Sequence, residues 1–182
     1  HTEQLRRIGE YVTKGLEHDP RQLRFVTWTL KYNRCYWLEL LDLAERLGSG
    51  PSLMPENRDD RVFMVGLINE IAGENGMAWN ARILMFHAGI QAQGHNAAKN
   101  PMYAEYQYDE NAIDSSKIKI ESFLSYLASH IAAQREKGSH FLVGKAFSAA
   151  DVYWAYFSNM LETLPPDQCP APDGLRKIWG VL

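Results

Sequence analysis

Cysteine is scarce in this chain. The 182 residues hold two, Cys35 and Cys169, far apart and outside any C-x-x-C pair. That spacing argues against a zinc site or a disulfide framework, and two free thiols suit a reducing cytoplasm. Neither sign of charge is in excess: 19 Lys and Arg against 22 Asp and Glu leave a formal net charge of −3. Without a basic cluster there is no electrostatic footprint for nucleic acid or for an anionic membrane surface. No apolar run approaches the roughly 20 residues that span a bilayer, and no signal peptide opens the chain. H-E-x-x-H, G-x-S-x-G, the P-loop and G-x-G-x-x-G are all missing. His130 and His140 have no Asp or Glu at ligand spacing, so they read as solvated histidines and no metal is expected. The first residue is His1 rather than Met, which suggests that the natural chain starts further upstream.

What is present is a neutral chain, 46% hydrophobic, with enough apolar material for one domain or one domain plus part of a second. Leu5, Ile8, Val12 and Leu16 recur at helical spacing and predict an amphipathic helix that ends in the Glu17-His18-Asp19-Pro20 turn. In Leu23–Tyr32 the pattern changes: Val26, Trp28, Leu30 and Tyr32 alternate among β-branched and aromatic residues, which predicts a strand. A lone strand leaves its backbone donors and acceptors unpaired. Either the sheet is incomplete here, or it pairs with another chain, or the segment is not a strand. Trp37, Leu40, Leu41, Ala44 and Leu47 predict a second helix, stopped by Gly48-Ser-Gly-Pro51. Gly48 to Asn57 reads as a linker, with a domain boundary between residues 50 and 51.

From Asp59 to about Ile90 the apolar residues keep near-helical spacing across Gly73 and Gly76, each of which costs about 1 kcal/mol relative to Ala inside a helix. A bend or the close approach of another helix is the expected reason. Glu70, Glu74, Asn75, Asn80 and Arg82 place polar groups near Trp79, so this face is either solvated or the wall of a cavity. Gln91 to Glu110 is a tyrosine-rich loop with short helical turns; Tyr103, Tyr106 and Tyr108 suit a ligand rim, a subunit interface or plain surface packing. Ile113, Ile120, Leu124, Leu127 and Ile131 then mark a long amphipathic helix ended by Gly138. The proline-rich stretch from Leu164 to Gly174 stays extended, and a short helix around Leu175, Ile178 and Trp179 follows.

The most informative stretch is Phe141-Leu-Val-Gly-Lys-Ala-Phe-Ser-Ala-Ala-Asp-Val-Tyr-Trp-Ala-Tyr-Phe157. Ser148 at the N-cap and Asp151 at N3 have the spacing of a capping box, and Phe147 with Val152 that of a hydrophobic staple. The apolar run after the cap predicts a central helix. An acidic residue beside such a run also invites a catalytic reading, but the capping role accounts for Asp151 without one.

This stretch resembles the capping-box signature in the all-helical C-terminal domain of glutathione transferases. The resemblance implies a mainly α protein: a helical bundle over 51–182, preceded at 1–50 by a short, incomplete α/β segment of the thioredoxin-like kind. It places Trp79 and Arg82 on the helix that lines the electrophile pocket, with Tyr103 and Tyr106 as further pocket candidates. Cys35-Tyr-Trp-Leu-Glu resembles the start of the last thioredoxin-like helix, where the family carries Glu-Ser to hold the γ-glutamyl carboxylate. Here Cys35 and Tyr36 stand in those places, so Tyr36 is the glutathione-contact candidate and Cys35 the substitute catalytic thiol, or else an inert one. The function implied is attack of a glutathione thiolate on a small apolar electrophile, or its reduction, in a cytoplasmic protein that forms a homodimer. A non-catalytic ligand-binding or dimerising member of the same fold is the alternative, and a thiol redox protein acting through Cys35 is a third.

Overall fold

Short polar side chains, Asn57 and Ser148, start two of the helices, and every regular element among the described residues is helical. The computed structural model describes residues 36–94 and 101–168. The expected helix at 2–16, the strand at 23–32, Cys35, Cys169 and the terminal helix lie outside them. The chain divides into two units, His1–Met54 and Pro55–Leu182.

In the first unit, α1 (Trp37–Leu47) buries Trp37, Leu41 and Leu43. It stops where Gly48 N–H donates to Ala44 O. Glu45 ties the helix to the segment that follows, its carboxylate accepting from Ser52 Oγ at 2.5 Å and Leu53 N–H at 2.9 Å.

The second unit holds α2 (Arg58–Ala72), α3 (Met77–Gln93), α4 (Pro101–Glu105), α5 (Ile113–Glu136) and α6 (Ala149–Phe157). Asn57 caps α2 by accepting from Asp60 N–H at 3.0 Å, and Asp59 and Asp60 favour the positive end of its first turn. The chain packs α3 along α5 and α2 against α6 and α3. The core lies between them: Met64, Leu67, Ile68 and Ile71 of α2, Ala81 and Ile83 of α3, and Ile120, Phe123 and Leu127 of α5.

Three expectations change. The periodic stretch from Asp59 to Ile90 is two helices, not one bent helix. A Cβ on Gly73 would lie 2.6 Å from Asn69 O, and one on Gly76 would lie 2.7 Å from Glu70 O. The glycines therefore let the chain fold back on the end of α2, and Asn75 completes the connector at φ 63°. Secondly, α6 buries Ala149 and Ala150 but leaves Val152 and Tyr156 exposed, so it is a flank of the bundle rather than its centre. Phe147 is also exposed, and its ring packs edge-on against Phe141 at 6.3 Å. Thirdly, His130 is not solvated. Its Nε2–H donates to Leu142 O at 2.6 Å, and its ring lies 4.8 Å from that of Phe63.

The 138–148 loop is held from several sides. Gly138 (φ 76°) closes α5 with Ser139 N–H bonded to Gln134 O and its own N–H to Arg135 O, the paired bonds of a Schellman motif. Buried Gln134 donates Nε2–H to Phe141 O and Gly144 O. Ser148 and Asp151 form the capping box. One carboxylate oxygen of Asp151 accepts from Ser148 N–H and Oγ–H, each at 2.9 Å, and the other from Leu142 N–H at 2.8 Å. Asp151 thus fixes both the helix start and the loop before it.

Candidate functional site

Trp79, Arg82 and Phe86 recur at three- and four-residue steps along α3 and so share a face. Against them stand the tyrosines of α4 and of the turn after it. Tyr106 lies 4.8 Å from Trp79, ring centre to ring centre, and 5.6 Å from Phe86. Tyr103 lies 4.4 Å from Phe86 and 6.0 Å from Tyr108. Arg82 Nη1–H donates to the Tyr106 hydroxyl at 2.8 Å, and its Cζ is 4.6 Å from the centre of the same ring. The structure therefore gathers Trp79, Arg82, Tyr103 and Tyr106 into one half-buried aromatic ladder.

The ladder ends at a pair that sequence reasoning missed. His87 Nδ1 and the Tyr108 hydroxyl are 2.9 Å apart across 21 residues of chain. Burial, reinforced by the Glu110 and Asp109 carboxylates and by Tyr103, pushes the Tyr108 phenol above its ordinary value. His87 also lines a cavity of about 510 Å³, whose walls are Leu84, Ile113, Ile120, Leu124 and Leu161. Lys117 and Glu121 bring one charge of each sign to it, so the cavity suits an uncharged apolar guest with one hydrogen-bonding group for the imidazole. The available signal was the adjacency of Phe86 and His87 and a third tyrosine two residues after Tyr106; their meeting required the fold.

The remaining polar residues near Trp79 face elsewhere. Asn80 is 1% exposed and donates Nδ2–H to Asn75 O and Gly76 O, both at 2.8 Å. Glu70, Glu74 and Asn75 line a second cavity between α2 and α5. Tyr36 stands at the head of α1, half exposed, and its hydroxyl makes no capping bond to that helix. Among the described residues no three His, Cys, Asp or Glu come together as a metal-binding group. No helix among them is long and apolar enough to cross a membrane. The chain matches no protein-family model, no curated protein and no solved structure.

Proposed function

We propose that this chain is a glutathione-transferase-like protein whose Pro55–Leu182 unit holds a small apolar electrophile. The observation that carries the reading is the geometry of Asp151, which joins the N-cap of α6 to the Phe141-Leu-Val-Gly loop through both carboxylate oxygens. This is the stretch on which the resemblance rests, folded as a single capped unit. The aliphatic cavity beside His87 adds support, since it has the lining an apolar substrate needs. Glutathione would be taken by the segment preceding Pro55, with Tyr36 as its contact and Cys35 as the candidate activating group. Its thiolate would attack the electrophilic carbon, forming the S–C bond and expelling the leaving group or, in an addition, placing the electron pair on the substrate. A cytoplasmic homodimer is part of the same reading.

A non-catalytic carrier is the second reading. It draws on the self-paired polar groups of the ladder, Arg82 with Tyr106 and His87 with Tyr108, which suit recognition more than nucleophile activation. Retention on glutathione-agarose and conjugation of a chloronitrobenzene separate the two. Retention with conjugation supports the transferase. Binding of an apolar dye with neither property leaves the carrier. Thiol exchange lost in Cys35→Ser would instead favour the redox protein.

A further inference from the structure

The second cavity, of about 770 Å³, lies between the end of α2 and the outer face of α5, and the ladder residues do not line it. Its base is apolar: Met77 and Phe123 are 2% and 7% exposed. On its α5 side Ile118 and Tyr126 remain 65% and 50% exposed, large apolar surfaces, with the His130 ring stacked beside that of Tyr126 at 6.3 Å. Its opposite side carries two carboxylates, Glu70 and Glu74. Neither forms an ion pair among the described residues, and Glu74 has one long bond, from Gln107 Nε2–H at 3.5 Å.

The wall that bears Glu74 is a built one. Buried Asn80 grips the connector from inside through the carbonyls of Asn75 and Gly76. From outside, Lys119 Nζ–H donates to Asn75 Oδ1 at 2.7 Å, pinning a residue already in the left-handed conformation. Lys119, the one cation among the residues lining the cavity, is tied to the wall and keeps its charge, so the lining carries two carboxylates against one ammonium, and neither carboxylate has an ion-pair partner among the described residues. Pre-organised walls lower the ordering cost of binding.

We infer that this cavity is a binding site for a small aryl-alkyl or alkyl amine, its ammonium held by Glu70 and Glu74 and its apolar body laid on Met77, Phe123 and Tyr126. The face of the Tyr126 ring turned away from His130 adds an attraction for the same cation. Carboxylates with a nearby aromatic face select positive charge; the exposed Ile118 and Tyr126 select an apolar body over a hydrated polyamine. The inference is independent of the glutathione reading, because it uses neither His87 nor the segment before Pro55.

The test is calorimetric titration of the full chain with three probes of one shape: phenethylamine, phenethyl alcohol and 3-phenylpropionate. The amine is expected to bind at least about tenfold more tightly than the alcohol, and the carboxylate not to bind. Binding should weaken with added salt, since both carboxylates are exposed. Glu70→Gln with Glu74→Gln should weaken the amine by about tenfold or more, whereas Glu136→Gln, ten residues beyond Tyr126 on the same helix, should leave it unchanged. As both glutamates are exposed, the double variant is expected to fold, and each single variant repeats the test. The Met77 methyl resonance, assigned through Met77→Leu, should shift with the amine. Equal binding of amine and alcohol, preference for the carboxylate, binding unaffected by the double variant, or no binding by any probe would each overturn the inference.

Discussion

Arg82 holds Tyr106 in two ways at once, its Nη1–H bonded to the hydroxyl at 2.8 Å while its Cζ stands 4.6 Å from the ring centre. The guanidinium is planar and weakly hydrated, so it can satisfy a donor bond and lie against a ring together. The pair ties α3 to the turn after α4 and orders the upper part of the ladder.

A double-mutant cycle with Arg82→Ala and Tyr106→Phe should give a coupling of about 1 kcal/mol in chemical denaturation. Arg82→Lys should recover little of it, because an ammonium lacks the planar fork. Full additivity of the two single changes would show that the contact is incidental.

Asp151 serves three donors, so its loss should exceed that of a simple cap. Ser148→Ala is expected to cost about 1 kcal/mol. Asp151→Ala leaves Leu142 N–H and Ser148 N–H unpaired and should cost about 3 kcal/mol. Thermal and denaturant unfolding measure both; an Asp151→Ala protein as stable as the parent would remove the structural role and reopen a chemical one.

The α2–α3 connector should resist any side chain at Gly76. Gly76→Ala places a methyl 2.7 Å from Glu70 O and should destabilise by about 2 kcal/mol through the backbone shift it forces. Asn80→Ala removes both side-chain bonds to the connector and should cost a comparable amount, about 2 kcal/mol, because the Asn75 carbonyl loses its donor while Gly76 O keeps only the backbone N–H of residue 80. Hydrogen exchange at residues 73–77 should quicken in the second variant, and unchanged protection there would contradict the clamp.

Tyr108 and Tyr153 both have phenols raised above the ordinary 10.0, in each case chiefly by burial. A phenol whose pKa is higher folded than unfolded binds more protons in the folded state between the two values. Its contribution is therefore fully present below pH 10.0 and is lost as pH rises through the folded value. Phenolate absorbance should show late-titrating tyrosines, and Tyr108→Phe should remove one of them. If Tyr108→Phe left that late phase unchanged, the raised Tyr108 phenol would be ruled out.

The residue order alone determined the helical character of the described residues and several helix ends. Ser148-x-x-Asp151 specifies a cap because one side chain reaches the other's backbone within a single turn, a purely local geometry. Gly138 ends α5 for the equally local reason that φ 76° suits glycine. Local patterning marked Tyr103 and Tyr106 as candidates, and the family resemblance marked Trp79 and Arg82. It could not show that Gly73 and Gly76 break the long helix, because apolar spacing continues through them and only the steric conflict with Asn69 and Glu70 carbonyls reveals the turn. Nor could it show that His130 reaches Leu142 O, or that His87 meets Tyr108. Those contacts join residues 12 and 21 positions apart. They depend on how α5 and the loop after it, and α3 and the turn after α4, are brought side by side. The same packing separated the polar residues around Trp79, turning Arg82 to the ladder, Asn80 to the core, and Glu70 and Glu74 to a cavity of their own. A sequence period fixes which face of a helix a side chain occupies, but the tertiary structure decides what that face meets.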